Sequence, residues 1–217
     1  MTSDDPPARY EPAARDLLAE WFGDFDDTRP APEEGDPIAR RWFVADPAFD
    51  AMLRRRFGAL AEAAAAGTLD GWAAPPRGQP ELAVALVLAL DQLPRNLYRG
   101  RPEAFAEDAH ARDVARTILD GPWYAKMPRI HRAFVLMPLM HSESIEDHDE
   151  AVARFEALVE DAADSPRADL YRNFLHYEHK HRDIVARFGR YPHRNEILGR
   201  RSTAEELAFL EQPGSRF

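Results

Sequence analysis

Histidine and arginine side chains that could do chemistry are concentrated between residues 181 and 200. His181 lies at helical spacing within a run of apolar residues, and a buried imidazole requires hydrogen-bond partners. After the expected helix end at Gly189, Tyr191-Pro192 enforces an extended backbone, so the arginines that follow project from a constrained turn. Guanidinium groups bind carboxylates or phosphates through paired hydrogen bonds. The stretch predicts an anion-binding turn beside a buried histidine, with arginine-to-carbonyl capping of helix ends as the structural alternative.

The apolar stripe of the helix before this turn predicts how His181 is placed. Residues at spacings of three and four along the expected helix from Pro166 to Phe188 share one face. The stripe consists of Leu170, Phe174, Tyr177, His181, Ile184 and Phe188. On this face His181 either fixes helix packing as a satisfied core histidine or contributes to a polar site.

A second histidine, His141, ends a similar stripe at a point where a helix is expected to break. Ser142 and Glu143 follow it, so an imidazole, a hydroxyl and a carboxylate share one turn and could serve acid–base chemistry. Ser142 and Ser144 are also suited to cap the next helix. Neither histidine cluster of the chain has the His-Glu-x-x-His spacing of a helical zinc site, so no metal is expected.

Two proline segments carry an arginine followed by an asparagine. Pro94-Arg95-Asn96 follows an apolar run, and Pro192-His193-Arg194-Asn195 follows the long helix. Because proline disfavours helical geometry in the residue before it and lacks an amide hydrogen, Pro94 is expected to end its helix. The two segments would then place similar polar groups at two helix ends.

The composition argues against several classes of function. The 217 residues carry a net charge of −10, with 38 acidic and 28 basic side chains, which disfavours binding to nucleic acid or to a membrane. There is no cysteine and no apolar leader, so a cytoplasmic protein is expected. The longest apolar run, 82–90, is far shorter than the roughly 20 residues of a membrane span. Phosphate-loop, dinucleotide and nucleophile-elbow motifs are missing, so no cofactor is expected.

Helical periodicity runs through the chain, without a convincing alternating strand pattern. Proline and glycine boundaries divide residues 1–217 into about eight helices within a single domain. The first helix is expected over Glu11 to Phe22, and another is expected to start after Asp46-Pro47. Thr203 with Glu206 offers a capping box for a short final helix. The segment near 23–36, rich in aspartate, glutamate and proline, is expected to be a mobile acidic loop. Short connections favour antiparallel helix pairs, so the predicted fold class is all-α.

Several segments of the chain resemble the bacterial family catalogued as domain of unknown function 924. They are Trp42-Phe43 with Phe49-Asp50, Leu90 to Gly100, Met137 to Glu143, His181 to Asn195, and Leu198 to Thr203. The resemblance implies a tetratricopeptide-like (TPR-like) superhelical array of helix pairs and no assigned activity. One departure is His148, which lies roughly where the family pattern has a glutamine.

The sequence as a whole predicts a helical binding protein with one polar site for a small anionic or peptide ligand. Histidines on apolar stripes and arginines beside prolines all need partners that their own segments lack. The predicted ligand-binding residues are Asp91, Arg95, Asn96, His141, Glu143, His181, Arg190, His193, Arg194 and Asn195. Two alternatives remain: a metal-independent hydrolase using His141 or His181 with a carboxylate, and a structural network beside a peptide-binding groove. The oligomeric state does not follow from the sequence.

Overall fold

The computed structural model describes residues 7–32, 36–76 and 78–215, and all regular secondary structure in these ranges is helical. The α-helices are α1 Glu11–Phe22, α2 Pro37–Phe43, α3 Pro47–Ala65, α4 Pro80–Val87, α5 Leu93–Leu97, α6 Asp108–Leu119, α7 Arg129–Met140, α8 Ile145–Asp161, α9 Ala168–Phe188 and α10 Ala204–Leu210. The predicted all-α class is confirmed. Within the described ranges, no helix has the length and apolar character needed to cross a membrane.

Local capping signals set several helix starts. The Asp46 side chain accepts hydrogen bonds from the first turn of α3, including one of 2.8 Å from Ala48 N. At α10, Thr203 and Glu206 form the predicted capping box. Helix α2 was not expected, although Asp36-Pro37 carries the same N-cap and N1 proline signature as α3.

The chain does not leave the helix at Pro94, so the helix end that was predicted there is wrong. Helix α4 passes through a π-helical turn, Leu88–Gln92, and continues as α5 to Leu97. Leu93 N–H donates to the carbonyl of Leu88, five residues back, and Leu93 keeps helical angles of φ −57° and ψ −47°. The wider turn relieves the clash that a proline ring makes in a regular helix. Arg95 and Asn96 therefore project from helix α5 and not from a turn.

Helix α4 lies at the centre of the molecule. Every residue from Leu82 to Leu90 is buried, and α1, α6 and α7 pack against α4. Helices α6, α7, α8 and α9 pack on one another in chain order. The aromatic core between α1, α2 and α7 includes Trp42, whose indole Nε1 donates to the carbonyl of Trp21 at 2.8 Å. This contact fixes the end of α2 against the core.

The described part of the predicted acidic loop is tied to the start of α9. Ser165 Oγ donates to the carbonyl of Asp27 at 2.6 Å, and Arg167 Nε donates to the carbonyl of Arg29 at 2.7 Å. Arg167 also pairs with Asp36 at 2.7 Å. Residues 33–35 lie outside the described residues, and the mobility of the loop stays a prediction.

The buried face of α9 differs from the predicted stripe. His181 is buried as expected, but Tyr177 is 43% exposed, whereas Glu178 is fully buried. Helix α9 packs against both α8 and α7, so its buried face is wider than a single stripe and is rotated towards Glu178.

Candidate functional site

A cavity of about 650 Å³ lies between the end of α2, α5, the end of α7, α9 and the 3₁₀ turn Pro192–Arg194. Its apolar lining includes Trp42, Phe43, Val44, Met137, Leu170 and Phe174. Its polar lining includes Gln92, Arg95, Asn96, His141, Lys180, His181, His193 and Arg194. Along α9, the lining changes from Leu170 to His181 over a rise of about 16 Å. We call the first set the apolar end and the second the basic end.

The cavity is lined by basic residues and by no acidic residue among those the structure describes. Four positive side chains line it, whereas the whole chain has a net charge of −10. Arg99 is neutralised by Asp50 through two hydrogen bonds of 3.0 and 3.1 Å. Lys180 makes no salt bridge within the described ranges, and its ammonium lies 5.1 Å from the centroid of the Tyr177 ring. The cavity therefore offers donors and positive charge.

Asp91 and His141 form a carboxylate–imidazole pair in the wall of the basic end. Asp91 Oδ1 lies 2.7 Å from His141 Nδ1, and Asp91 is fully buried. Burial alone would raise the pKa of Asp91, yet Arg95 and His141 hold it well below its ordinary value. Burial also lowers the pKa of His141, and Arg95 lowers it further, against the effect of Asp91. The imidazole is thus neutral, with its hydrogen on Nδ1, which leaves Nε2 as a hydrogen-bond acceptor.

The two arginine–asparagine segments meet at one carboxylate, that of Asp108 at the start of α6. Arg95 Nη2 lies 2.9 Å from Asp108 Oδ1, and Arg194 Nη1 lies 3.0 Å from Asp108 Oδ2. Arg95 also pairs with Asp91 at 3.3 Å. Arg194 donates to the carbonyl of His141 at 3.0 Å. The guanidinium positions are therefore fixed by two buried or nearly buried carboxylates behind the cavity wall.

Aromatic rings hold Arg194 in place, and a backbone carbonyl orients His181. The Arg194 guanidinium lies 4.5 Å from the Tyr191 ring centroid and 4.7 Å from that of Phe105. His181 Nδ1 lies 2.7 Å from the carbonyl of Tyr177, which can only accept, so Nδ1 carries the hydrogen. Burial lowers the pKa of His181 to about 3, so this imidazole is also neutral.

Glu143, Arg190 and Asn195 belong to a separate network away from the cavity lining. Glu143 accepts two hydrogen bonds from Arg200, of 2.6 and 2.9 Å, and one of 2.8 Å from Tyr191 N. Arg190 pairs in the same bidentate way with Glu206, which also accepts from Asn195 at 3.3 Å. This network fastens the segment after α9 to the turn between α7 and α8.

The sequence did not single out a buried pair next to the cavity wall, His148 and Glu178. His148 Nδ1 lies 2.6 Å from Glu178 Oε1, and both side chains are fully buried. The second nitrogen, Nε2, lies 2.9 Å from the carbonyl of Ser142. Burial raises the pKa of Glu178 despite His148 beside it. The pair joins α8 to α9 beneath Tyr191, whose hydroxyl lies 3.1 Å from His148 Nε2.

The structure brings most of the predicted site residues to one place. Six of them line the cavity: Arg95, Asn96, His141, His181, His193 and Arg194. Asp91 lies directly behind His141, whereas Glu143, Arg190 and Asn195 do not line the cavity. Cavity residues that the sequence did not indicate include Lys180, Arg99, Gln92 and Asn173. Within the described ranges, no group of three or more histidine and acidic side chains is placed to hold a metal ion.

The fold and the cavity define an all-helical protein in which basic side chains line a cavity that opens to solvent. Over residues 17–214 the chain matches the family described as "Bacterial protein of unknown function (DUF924)". This protein belongs to that family. A solved structure from Agrobacterium tumefaciens, also described as a protein of unknown function, is 33% identical, with a TM-score of 0.74. The match covers 93% of this chain and 98% of that one. No curated protein matches this chain.

Proposed function

We propose that this protein binds a small anionic ligand at the basic end of the cavity. The observation that carries the proposal is the absence of any carboxylate among the described cavity-lining residues of a chain with a net charge of −10. Arg95, Arg194 and Lys180 supply positive charge, and Gln92 and Asn96 supply amides. Guanidinium groups that are already held in place lose little conformational freedom on binding a carboxylate or phosphate.

The consecutive packing of α6 to α9 supports the TPR-like arrangement of helix pairs as part of this proposal. In such an arrangement ligands bind on a surface that several helices share. A peptide that ends in a carboxylate would satisfy the same donors as a small organic acid.

A thermal unfolding experiment with a lysine control tests the binding proposal. The chain has two lysines, Lys180 in the cavity and Lys126, which is exposed elsewhere. At pH 7.5 and constant ionic strength, replacing chloride with acetate or phosphate should raise the Tm of the wild-type protein. Lys180→Gln should reduce this increase, whereas Lys126→Gln should not. An equal increase in both variants, or none in the wild type, would contradict the proposal.

A hydrolase is the second candidate, and the pair Asp91–His141 favours it. An ionised carboxylate that accepts Nδ1–H orients the imidazole and leaves Nε2 to take a proton from water. The 2.7 Å separation of Asp91 Oδ1 and His141 Nδ1 meets this requirement at the wall of a cavity. In this role the basic side chains would hold an anionic substrate or a developing oxyanion.

Ester hydrolysis with a series of nitrophenyl carboxylates tests the hydrolase. His141→Gln should remove the activity, and Asp91→Asn should lower it strongly by releasing the imidazole tautomer. Because burial and Arg95 lower the pKa of His141, the rate should persist below the ordinary pKa of histidine, about 6.5. His176→Gln, at an exposed position of α9, is the matched control. Wild-type hydrolysis no faster than the uncatalysed reaction would reject this candidate.

A further inference from the structure

We infer that the ligand is an amphipathic monocarboxylate, with its carboxylate at the basic end and an apolar body along the apolar end. This inference rests on the proposed binding function and names its ligand class. Three observations support it. The charges around the basic end leave one positive charge unbalanced, the apolar end extends well beyond the basic end along α9, and apolar side chains are exposed at the same cavity.

The charges at the cavity suit a single negative charge. Arg95 and Arg194 are balanced by Asp91 and Asp108, which lie behind the wall and do not line the cavity. Arg99 is likewise balanced by Asp50. Lys180 is the lining cation without a salt bridge in the described part of the chain. One positive charge is therefore left over, which matches a carboxylate better than a phosphate dianion.

The apolar end is larger than a carboxylate group, and its apolar lining does not suit a charged group. Phe174, Leu170 and Met137 form its wall, with the Phe43 ring 5.8 Å from the ring of Phe174. The rise along α9 from Leu170 to His181 is about 16 Å, much longer than a carboxylate. An apolar body attached to the anion would bury this surface, which contributes favourably to binding.

Exposed apolar side chains are concentrated at the same cavity. The described large hydrophobic residues with high exposure are Phe43, Val44, Tyr177, Leu198 and Leu207. Three of them line this cavity: Phe43, 54% exposed, Val44, 50% exposed, and Tyr177, 43% exposed. Exposed apolar groups next to a cavity commonly mark a ligand-binding surface. The partner of this surface is the distal part of the same amphipathic ligand.

Titration calorimetry with a homologous series of acids tests the inference. Acetate, butanoate, hexanoate and octanoate differ only in their number of methylene groups, and octanamide is the uncharged control. Burial of each added methylene should tighten the Kd about fourfold until the apolar end is filled. Octanamide should bind at least about tenfold more weakly than octanoate, because only the carboxylate accepts charge-assisted hydrogen bonds from donors on both of its oxygens.

Two variants separate the ends of the proposed ligand. Phe43→Ser, at a position that is 54% exposed, should reduce the gain per methylene and leave acetate binding unchanged. Lys180→Gln should weaken all the acids and leave octanamide unchanged, with Lys126→Gln as the matched control.

The outcomes distinguish this inference from the proposed function. If acetate or phosphate binds but the chain length changes the Kd by less than about 1.5-fold per methylene, the amphipathic ligand is wrong and anion binding stands. If no acid binds, both proposals fail. If octanamide binds as tightly as octanoate, the carboxylate has no role and the inference is overturned.

Discussion

Asp91→Asn should destabilise the protein strongly, because Asp91 is a buried charge with three partners. Its carboxylate is fully buried and contacts His141 Nδ1 at 2.7 Å, Gln92 Nε2 at 2.6 Å and Arg95 Nη1 at 3.3 Å. Asparagine keeps the shape but replaces one acceptor with a donor, so at least one of these donors loses its partner.

The expected loss of unfolding free energy follows from the burial of the Asp91–Arg95 ion pair. Breaking a buried ion pair on one side costs about 3–5 kcal/mol, and the lower limit applies because Asp108 remains paired with Arg95 at 2.9 Å. For a protein of this size, about 3 kcal/mol lowers the Tm by roughly 6–12 °C. Urea unfolding at pH 7.5 measures the free energy directly, with an unchanged slope confirming that the same two states are compared.

The control and the pH dependence make this prediction specific. Asp169→Asn removes a carboxylate that is 95% exposed and pairs with Arg172 at 2.6 Å, and it should cost less than about 1 kcal/mol. Because the pKa of Asp91 is lowered in the folded protein, its stabilisation is present above its unfolded pKa of about 3.9 and is lost as the pH falls further. A loss below about 1 kcal/mol at pH 7.5 would refute the argument.

Two further predictions concern stability. Folded His181 has a pKa of about 3, whereas the unfolded side chain takes up a proton near pH 6.5, so lowering the pH from 7 to 5 should cost about 2 kcal/mol through this residue. His181→Gln should flatten that part of the urea-stability profile, His176→Gln should not, and an unchanged slope in His181→Gln would contradict the assignment. Gly58→Ala, within α3 and with no heavy atom near the added Cβ, should stabilise by about 0.5–1 kcal/mol. Gly189→Ala, at φ +67°, should destabilise by about 1 kcal/mol, and the same sign for both alanine variants in thermal unfolding would refute the backbone argument.

The sequence predicted helices where local chemistry determines them. The range Glu11–Phe22 of α1 and the start of α3 after Asp46 agree with the prediction, because capping and periodicity act within a few residues. The helix end predicted at Pro94 was wrong because the helix continues through a π-helical turn, Leu88–Gln92, just before the proline. This turn depends on how the buried segment packs. Such a turn leaves no distinctive pattern in a single sequence.

The sequence also indicated residues of the candidate site without indicating their partners. Arg95 and Arg194 were expected to lie close together, but nothing near either one pointed to Asp108, which is distant in the chain from Arg194 and faces both. Asn195 carries the same kind of signal as Arg194, yet its amide pairs with Ser202 and Glu206 instead. Only tertiary packing determines that Arg194 lines the cavity and that Asn195 does not.

Glu178 illustrates a signal that could have been found. It lies four residues after Phe174 and three before His181, so it shares the helical face that buries both. A glutamate on such a face requires a partner, and His148 supplies it at 2.6 Å. Tyr177 fits helical spacing equally well, three residues after Phe174 and four before His181, and the prediction placed this aromatic residue in the stripe instead of Glu178.

The two lysines of the chain offer the most direct test of ligand binding in the cavity. Reductive methylation with ¹³C-formaldehyde keeps their charge and gives each a separate NMR signal, assigned with Lys180→Arg and Lys126→Arg. If an anion binds at the basic end, octanoate should shift the Lys180 signal in a saturable way and raise the pKa of its ammonium group, while Lys126 stays unchanged. Equal shifts of both lysines, or none at Lys180 at octanoate concentrations that saturate binding, would contradict the account.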